Sequence, residues 1–165
     1  MKKILSVVLA AMMLLSLSAT AFAATGVGSA TSVKVTAATA DAAGSVSVDT
    51  YMCAVTVVEN GVITAVQFDC VQSKGAFDAA GAVVGEAAMQ PQTKNELAEN
   101  YGMKAYSPIG KEFNEQMDAL AAWCVGKTVE EVLSLYAGDA DLKAGCTVYI
   151  GTEMVALQKA VANAK

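Results

Sequence analysis

The chain has 165 residues, a formal charge of −5 and no histidine; arginine is also missing, so all 11 basic residues are lysines. That composition excludes histidine-dependent triads and zinc sites, and it removes the bidentate phosphate clamp that arginine provides. It also argues against nucleic acid and anionic membrane surfaces, which select basic patches.

In chain order, the first signal is one of targeting. Lys2 and Lys3 precede an uncharged apolar run from Ile4 to Leu17, and Ala21-Phe22-Ala23 forms a small-x-small cleavage site. Residues 1–23 are therefore expected to be a signal peptide cut after Ala23, giving a secreted or cell-envelope protein. The run is shorter than the roughly 20 residues a membrane-spanning helix needs, and no later segment is long and apolar enough to span. Removing 23 of the 165 residues leaves 142, enough for one domain with a core, carrying nine lysines against sixteen acidic residues. The four cysteines, Cys53, Cys70, Cys124 and Cys146, are even in number, which in a secreted chain suggests disulfides with three possible connectivities.

Residues 24–48, rich in Ala, Ser, Thr and Gly, read as a flexible or partly β segment, with strand-like alternation from Ser32 to Thr36 and a loop through Asp41 and Gly44. Gly26 and Gly28 read as part of a flexible start. A β-hairpin follows. Tyr51 to Glu59 and Val62 to Val71 are β-branched and aromatic runs joined by Asn60-Gly61, the preferred two-residue turn. That turn sets Cys53 opposite Phe68 and Tyr51 opposite Cys70, with Val55 and Val66 continuing the same core-facing side. Residues 74–92 read as a loop or short second hairpin around Asp78 to Gly81.

Helical signals dominate the rest. Thr93-x-x-Glu96 and Thr128-x-x-Glu131 are capping boxes, the first opening a helix that ends near Gly102, the second a helix through Tyr136. Ser107-Pro108 reads as an N-cap and first helical position, ahead of an apolar stripe of Phe113, Met117, Leu120 and Cys124. Cys146 to Ile150 reads as a short strand, with Thr147 and Tyr149 pointing one way and Cys146 and Val148 the other. Thr152 is expected to cap a last helix bearing Met154, Leu157, Val161 and Ala164 on one face. The fold class is thus α+β, an antiparallel sheet built on a hairpin and covered on one side by helices.

Four constellations have simpler explanations than chemistry. Gly126-Lys127-Thr128 lacks the upstream glycine and preceding strand of a P-loop, and reads as a helix stop followed by an N-cap. Glu112, Glu115 and Asp118 read as a solvated face near a helix N-terminus, where the dipole favours negative charge. Asp139 and Asp141 lack calcium-loop spacing and read as a turn. The aromatic residues, Trp123 among them, read as core and rim packing.

Asp141-Leu142-Lys143-Ala144-Gly145-Cys146-Thr147 is different. It resembles the flavinylation motif D-x-x-S/T-G-A-T/S of the FMN-binding domain family. Asp141, Gly145 and Thr147 match at the family's spacing, while Ala144 stands for its Ser/Thr and Cys146 for its Ala. The hairpin V-T-V-V-E-N-G-V-I-T-A-V-Q-F-D and the C-terminal helix are similar to that family as well, so the likeness spans residues 49–165. The resemblance implies a domain that carries electrons rather than turning over substrate, with FMN joined through its phosphate to Thr147. A flavin transferase and a redox partner would be its partners. Asp141, Ala144, Gly145 and Cys146 would shape the loop, with backbone amides in place of the missing arginine. The alternative is a flavin-free extracytoplasmic binding or structural module that keeps the fold.

Overall fold

The computed structural model describes residues 23–85, 88–89 and 92–165. The expected signal peptide, residues 1–23, lies outside the described residues except for Ala23.

Among the described residues, four antiparallel strands run in sequential order: β1 (Ala24–Thr36), β2 (Gly44–Val57), β3 (Ile63–Phe77) and the short β4 (Ala88–Met89). Five helices follow: α1 (Lys94–Leu97), α2 (Phe113–Cys124), α3 (Val129–Leu135), α4 (Ala140–Gly145) and α5 (Gly151–Ala162). Helices α2 and α5 pack on one face of the sheet, and the other face is open, so the architecture is α+β as expected. Val55, Ile63 and Phe68 of the sheet are fully buried against Met117 and Leu120 of α2 and Leu157 of α5. Each contributes about 1.5–3 kcal/mol of apolar burial.

The hairpin register is the expected one: Tyr51 faces Cys70, Cys53 faces Phe68 and Val55 faces Val66. The turn is not the simple two-residue form. Asn60 and Gly61 both have positive φ (72° and 73°), but the register shifts by one at Thr56/Val57 and the loop closes through Gly61 N–H to the Val58 carbonyl. A short second hairpin does form around Asp78, whose carboxylate accepts the amides of Ala80 and Ala82.

Both threonine capping boxes are present, at Thr93/Glu96 and Thr128/Glu131, and Gly102 ends the first helical stretch at φ 76°. Several local expectations are corrected. Residues 24–48 are β in larger part than expected: β1, which contains the Ser32–Thr36 alternation, then the loop through Asp41, then the first residues of β2, so a boundary at 48/49 would fall inside a strand. Gly26 and Gly28 are not a loose start; a Cβ at Gly26 would sit 2.7 Å from Ala164 N, and one at Gly28 would meet the backbone of Ala156 and Ala160. Their bare backbone lets α5 lie directly on β1.

Helix α2 begins at Phe113, not after Ser107, because Glu112 forms the capping box with Glu115 and also accepts the amides of Met103 and Lys104. Ser107 instead receives the Lys111 amide within a turn. Cys146 to Ile150 is irregular, not a strand, and α5 starts at Gly151 with Ile150 in the cap position. The disulfides suggested by the cysteine count do not form, and all four cysteines are buried free thiols.

Candidate functional site

The motif that drew attention in the sequence is split between a helix end and a loop. Asp139 caps α4 by accepting the Leu142 amide at 2.8 Å, and the same oxygen takes the Trp123 indole N–H at 3.1 Å. That leaves Asp141 exposed in the first turn of α4, on helix and not in an attachment loop. Ala144 is exposed too. Gly145 has a packing role, since a Cβ there would come within 2.9 Å of the Ala119 Cβ on α2. Cys146 is 4% exposed, and burial pushes its thiol up to about 11. Asp141 and Ala144 are thus exposed residues of α4, Cys146 is buried, and Thr147 is exposed beyond the helix end.

Thr147 itself is exposed and held on a firm mount. Gln116 of α2 is fully buried, and its Oε1 accepts the Thr147 amide at 2.8 Å, the Val148 amide at 3.2 Å and the Thr147 hydroxyl at 3.3 Å. Its Nε2 donates to Ser107 Oγ and the Lys111 carbonyl. One side-chain amide thus ties the 107–111 turn to the 147–148 loop with every polar atom satisfied. Exposed tyrosines, Tyr106 and Tyr149, flank this junction in sequence on either side. The outward turn of Thr147 and Tyr149 and the inward turn of Cys146 are as the alternation implied.

The fit to a phosphate-linked group is uneven. The Thr147 hydroxyl is accessible, and substituting it removes only its long bond to Gln116 while two amide bonds keep the loop in place. The amides of residues 147 and 148 already have their acceptor, so they are not a spare anion cradle.

A second polar group lies under the helices, and its charged members, Lys94, Asp49 and Glu153, carry no motif in the sequence. Lys94, at the first position of α1, is 5% exposed and bonds Asp49 of β2 at 3.1 Å. Its ammonium stands over the rings of Phe113 (5.0 Å), Tyr101 (5.1 Å) and Tyr51 (5.7 Å). Burial opposes its charge, but Cys70, Tyr101 and Asp49 outweigh that and hold the Lys94 pKa above the ordinary lysine value. Burial raises Tyr51 and Cys70 to about 12, so both are uncharged at neutral pH and Asp49 is the counter-charge. Burial also opposes ionisation of Asp49, yet bonds from Gln72 and Lys94 keep its carboxyl below the usual range.

Glu153 of α5 completes the group. It is 1% exposed, neither carboxylate oxygen has a hydrogen-bond partner, and burial pushes its pKa up to about 7. The clue available in the sequence was a polar residue on an apolar helical face: Gln116 beside Phe113, Met117 and Leu120, and Glu153 one turn before Ala156 and Leu157. Asp49 was legible as well, since the hairpin register carried on places it on the core side opposite Gln72.

No protein-family model, curated protein or solved structure matches this chain. Among the described residues no helix is long and apolar enough to cross a membrane, and no group of side chains is arranged to hold a metal ion.

Proposed function

We propose that this is a secreted or cell-envelope electron-carrier domain with FMN attached through its phosphate to Thr147. The observation that carries the reading is the Thr147 hydroxyl: it is exposed, it ends a stretch similar to a flavinylation motif, and its backbone is anchored twice on buried Gln116. A modifying transferase needs an accessible hydroxyl, and an electron carrier needs its attached group on a mount that does not move. When attached, the flavin supplies the redox chemistry and the protein sets its surroundings. Gln116 orients the acceptor loop, Gly145 brings α4 close to α2, and buried Cys146 pins the loop from below.

The test is co-production with an active flavin transferase. The expected product is yellow and heavier by one FMN less one water; Thr147→Ala should carry no flavin and Thr147→Ser should still be modified. Unmodified wild-type protein under these conditions, or flavin retained on Thr147→Ala, contradicts the assignment.

A second reading, a flavin-free binding module, is favoured by a separate feature. A groove of 720 Å³ lies on the open face of the sheet, with Val27, Met52 and Ala54 as its floor and Gln67, Asp69 and Lys159 among its polar walls. An apolar floor with a few polar groups is the usual make-up of a small-molecule site. A colourless protein that retains an apolar ligand through purification favours this second reading.

A further inference from the structure

The two edges of the sheet are treated differently. Along β3 the outward backbone groups find partners: Ile63 pairs with Gly126 and Lys127, the Phe68 carbonyl takes Asn95 Nδ2, and β4 pairs at Ser73 and Lys74. Along β1 only the first half is covered. Thr25 exchanges backbone bonds with Lys165, the Val27 carbonyl takes Asn163 Nδ2, and the Ser29 carbonyl takes Lys159 Nζ. Those contacts establish that odd-numbered residues of β1 direct their N–H and C=O groups away from the sheet. Thr31, Val33 and Val35 therefore present three amides and three carbonyls outward, and none has a partner among the described residues. Residues 31–36 are exposed throughout, with Val33 at 60% and Val35 at 62%.

We propose that this free edge of β1 joins the same edge of a second copy of the chain, making one continuous sheet across a two-fold axis at Val33. The occupant follows from the edge's own symmetry. The cap ends at Ser29 and the strand ends at Thr36, so the free stretch is 30–36 and its midpoint is Val33. Antiparallel pairing about that midpoint sets Val33 against Val33 and Thr31 against Val35, each a hydrogen-bonded pair. All six outward groups on each copy are then satisfied. Moving the axis to Ser32 sets Val35 against the Ser29 carbonyl that Lys159 already caps, and moving it to Lys34 sets Thr31 beyond the end of the strand at Thr36, so either shift loses bonds.

The side chains agree with the pairing. Val33, Val35 and Thr31 of both copies fall on the open face, continuing the row of Val46 and Val48 on β2, their cross-strand neighbours. Lys34 faces Ser32 of the other copy, so no like charges stand directly opposite. The two Lys34 side chains are diagonal neighbours about 7–8 Å apart. Their repulsion is screened by salt, so raised ionic strength should favour the dimer. An uncovered strand edge of this length is a pairing template in physical terms, and a matched copy is always present at the protein's own concentration.

Sedimentation velocity of the purified protein over a wide concentration range tests this. The expected result is a monomer–dimer equilibrium that Val33→Pro weakens by about thirtyfold, the loss of two backbone hydrogen bonds. The Val33 amide has no partner within its own chain, so that substitution leaves the sheet of the monomer intact. As a second measure, Val33→Cys should form an intermolecular disulfide under mild oxidation, because the Cα atoms of such a pair lie about 5.5 Å apart. Val27→Cys, beneath the cap, should not. Monomer at every concentration overturns the proposal and leaves the edge to a foreign strand. A dimer unaffected by Val33→Pro and not cross-linked through residue 33 overturns it too, by showing a different interface.

Discussion

Replacing Glu153 by Gln makes the buried polar cluster measurable through pH. A carboxyl whose pKa rises from 4.5 to about 7 on folding binds its proton more tightly in the native state than in the unfolded chain. Between those values the native state holds more protons, so stability falls as pH rises through the window. A shift of this size corresponds to about 3 kcal/mol, fully lost once the pH is well above 7. The charged groups facing Glu153 act in opposite senses: Lys94 from α1 lowers its pKa, and Asp49 from β2 raises it.

The chain is well suited to the measurement. With no histidine, few groups titrate between pH 5 and 8 apart from the terminal amine. The four thiols have been driven to about 11 or 12, and Asp49 acts below that range. Urea unfolding at pH 5 and pH 8 should therefore show wild-type protein losing about 2.5 kcal/mol, equivalent to a drop in Tm of about 8 °C. Glu153→Gln, which resembles the protonated acid in shape and charge, should match wild type at pH 5 and exceed it at pH 8. A flat wild-type profile, or a variant that runs parallel to wild type at both pH values, would show that Glu153 is not held in a protonated, unpartnered state and refute the reasoning.

Other outcomes follow from the same contacts. Gln116→Leu keeps the volume but leaves the Thr147 and Val148 amides without their acceptor, so urea unfolding should show a loss of about 2–4 kcal/mol. Hydrogen exchange at those two amides should accelerate in that variant even where the rest of the protein is unchanged. Gly28→Ala drives a Cβ into the backbone of α5 and should cost about 1–3 kcal/mol; a cost below 0.5 kcal/mol would mean that the helix does not sit on β1 as described. A thiol reagent at pH 8 should find no reactive cysteine in the native protein and all four in urea, since each thiol is buried with a raised pKa.

What the sequence made legible was whatever a few neighbouring residues decide by themselves. The two threonine capping boxes act over three or four residues and form where the local chemistry put them, and Asn60-Gly61 turns the chain with positive φ at both residues, though within a longer loop than a two-residue turn. The hairpin register followed from the turn and carried the core side of β2 and β3 with it. The misreadings arise where a distant partner decides. An Ala/Gly/Ser-rich stretch has weak strand preference, and β1 is held over its first half because α5 lies on Gly26 and Gly28, more than a hundred residues away in sequence. Ser107 and Glu112 both offer an N-cap. Glu112 prevails because it also satisfies the amides of Met103 and Lys104, a contact no helical pattern encodes. The segment 146–150 shows the division within five residues. Its alternation correctly sorted Cys146 inward and Thr147 and Tyr149 outward, but alternation needs a free sheet edge to become a strand. The β3 edge is already filled by Asn95, β4 and the 126–127 loop, so the segment takes its hydrogen bonds from Gln116 instead. The acceptor loop is thus positioned by a side chain thirty-one residues earlier in the chain, and its geometry was invisible in the motif that marks it.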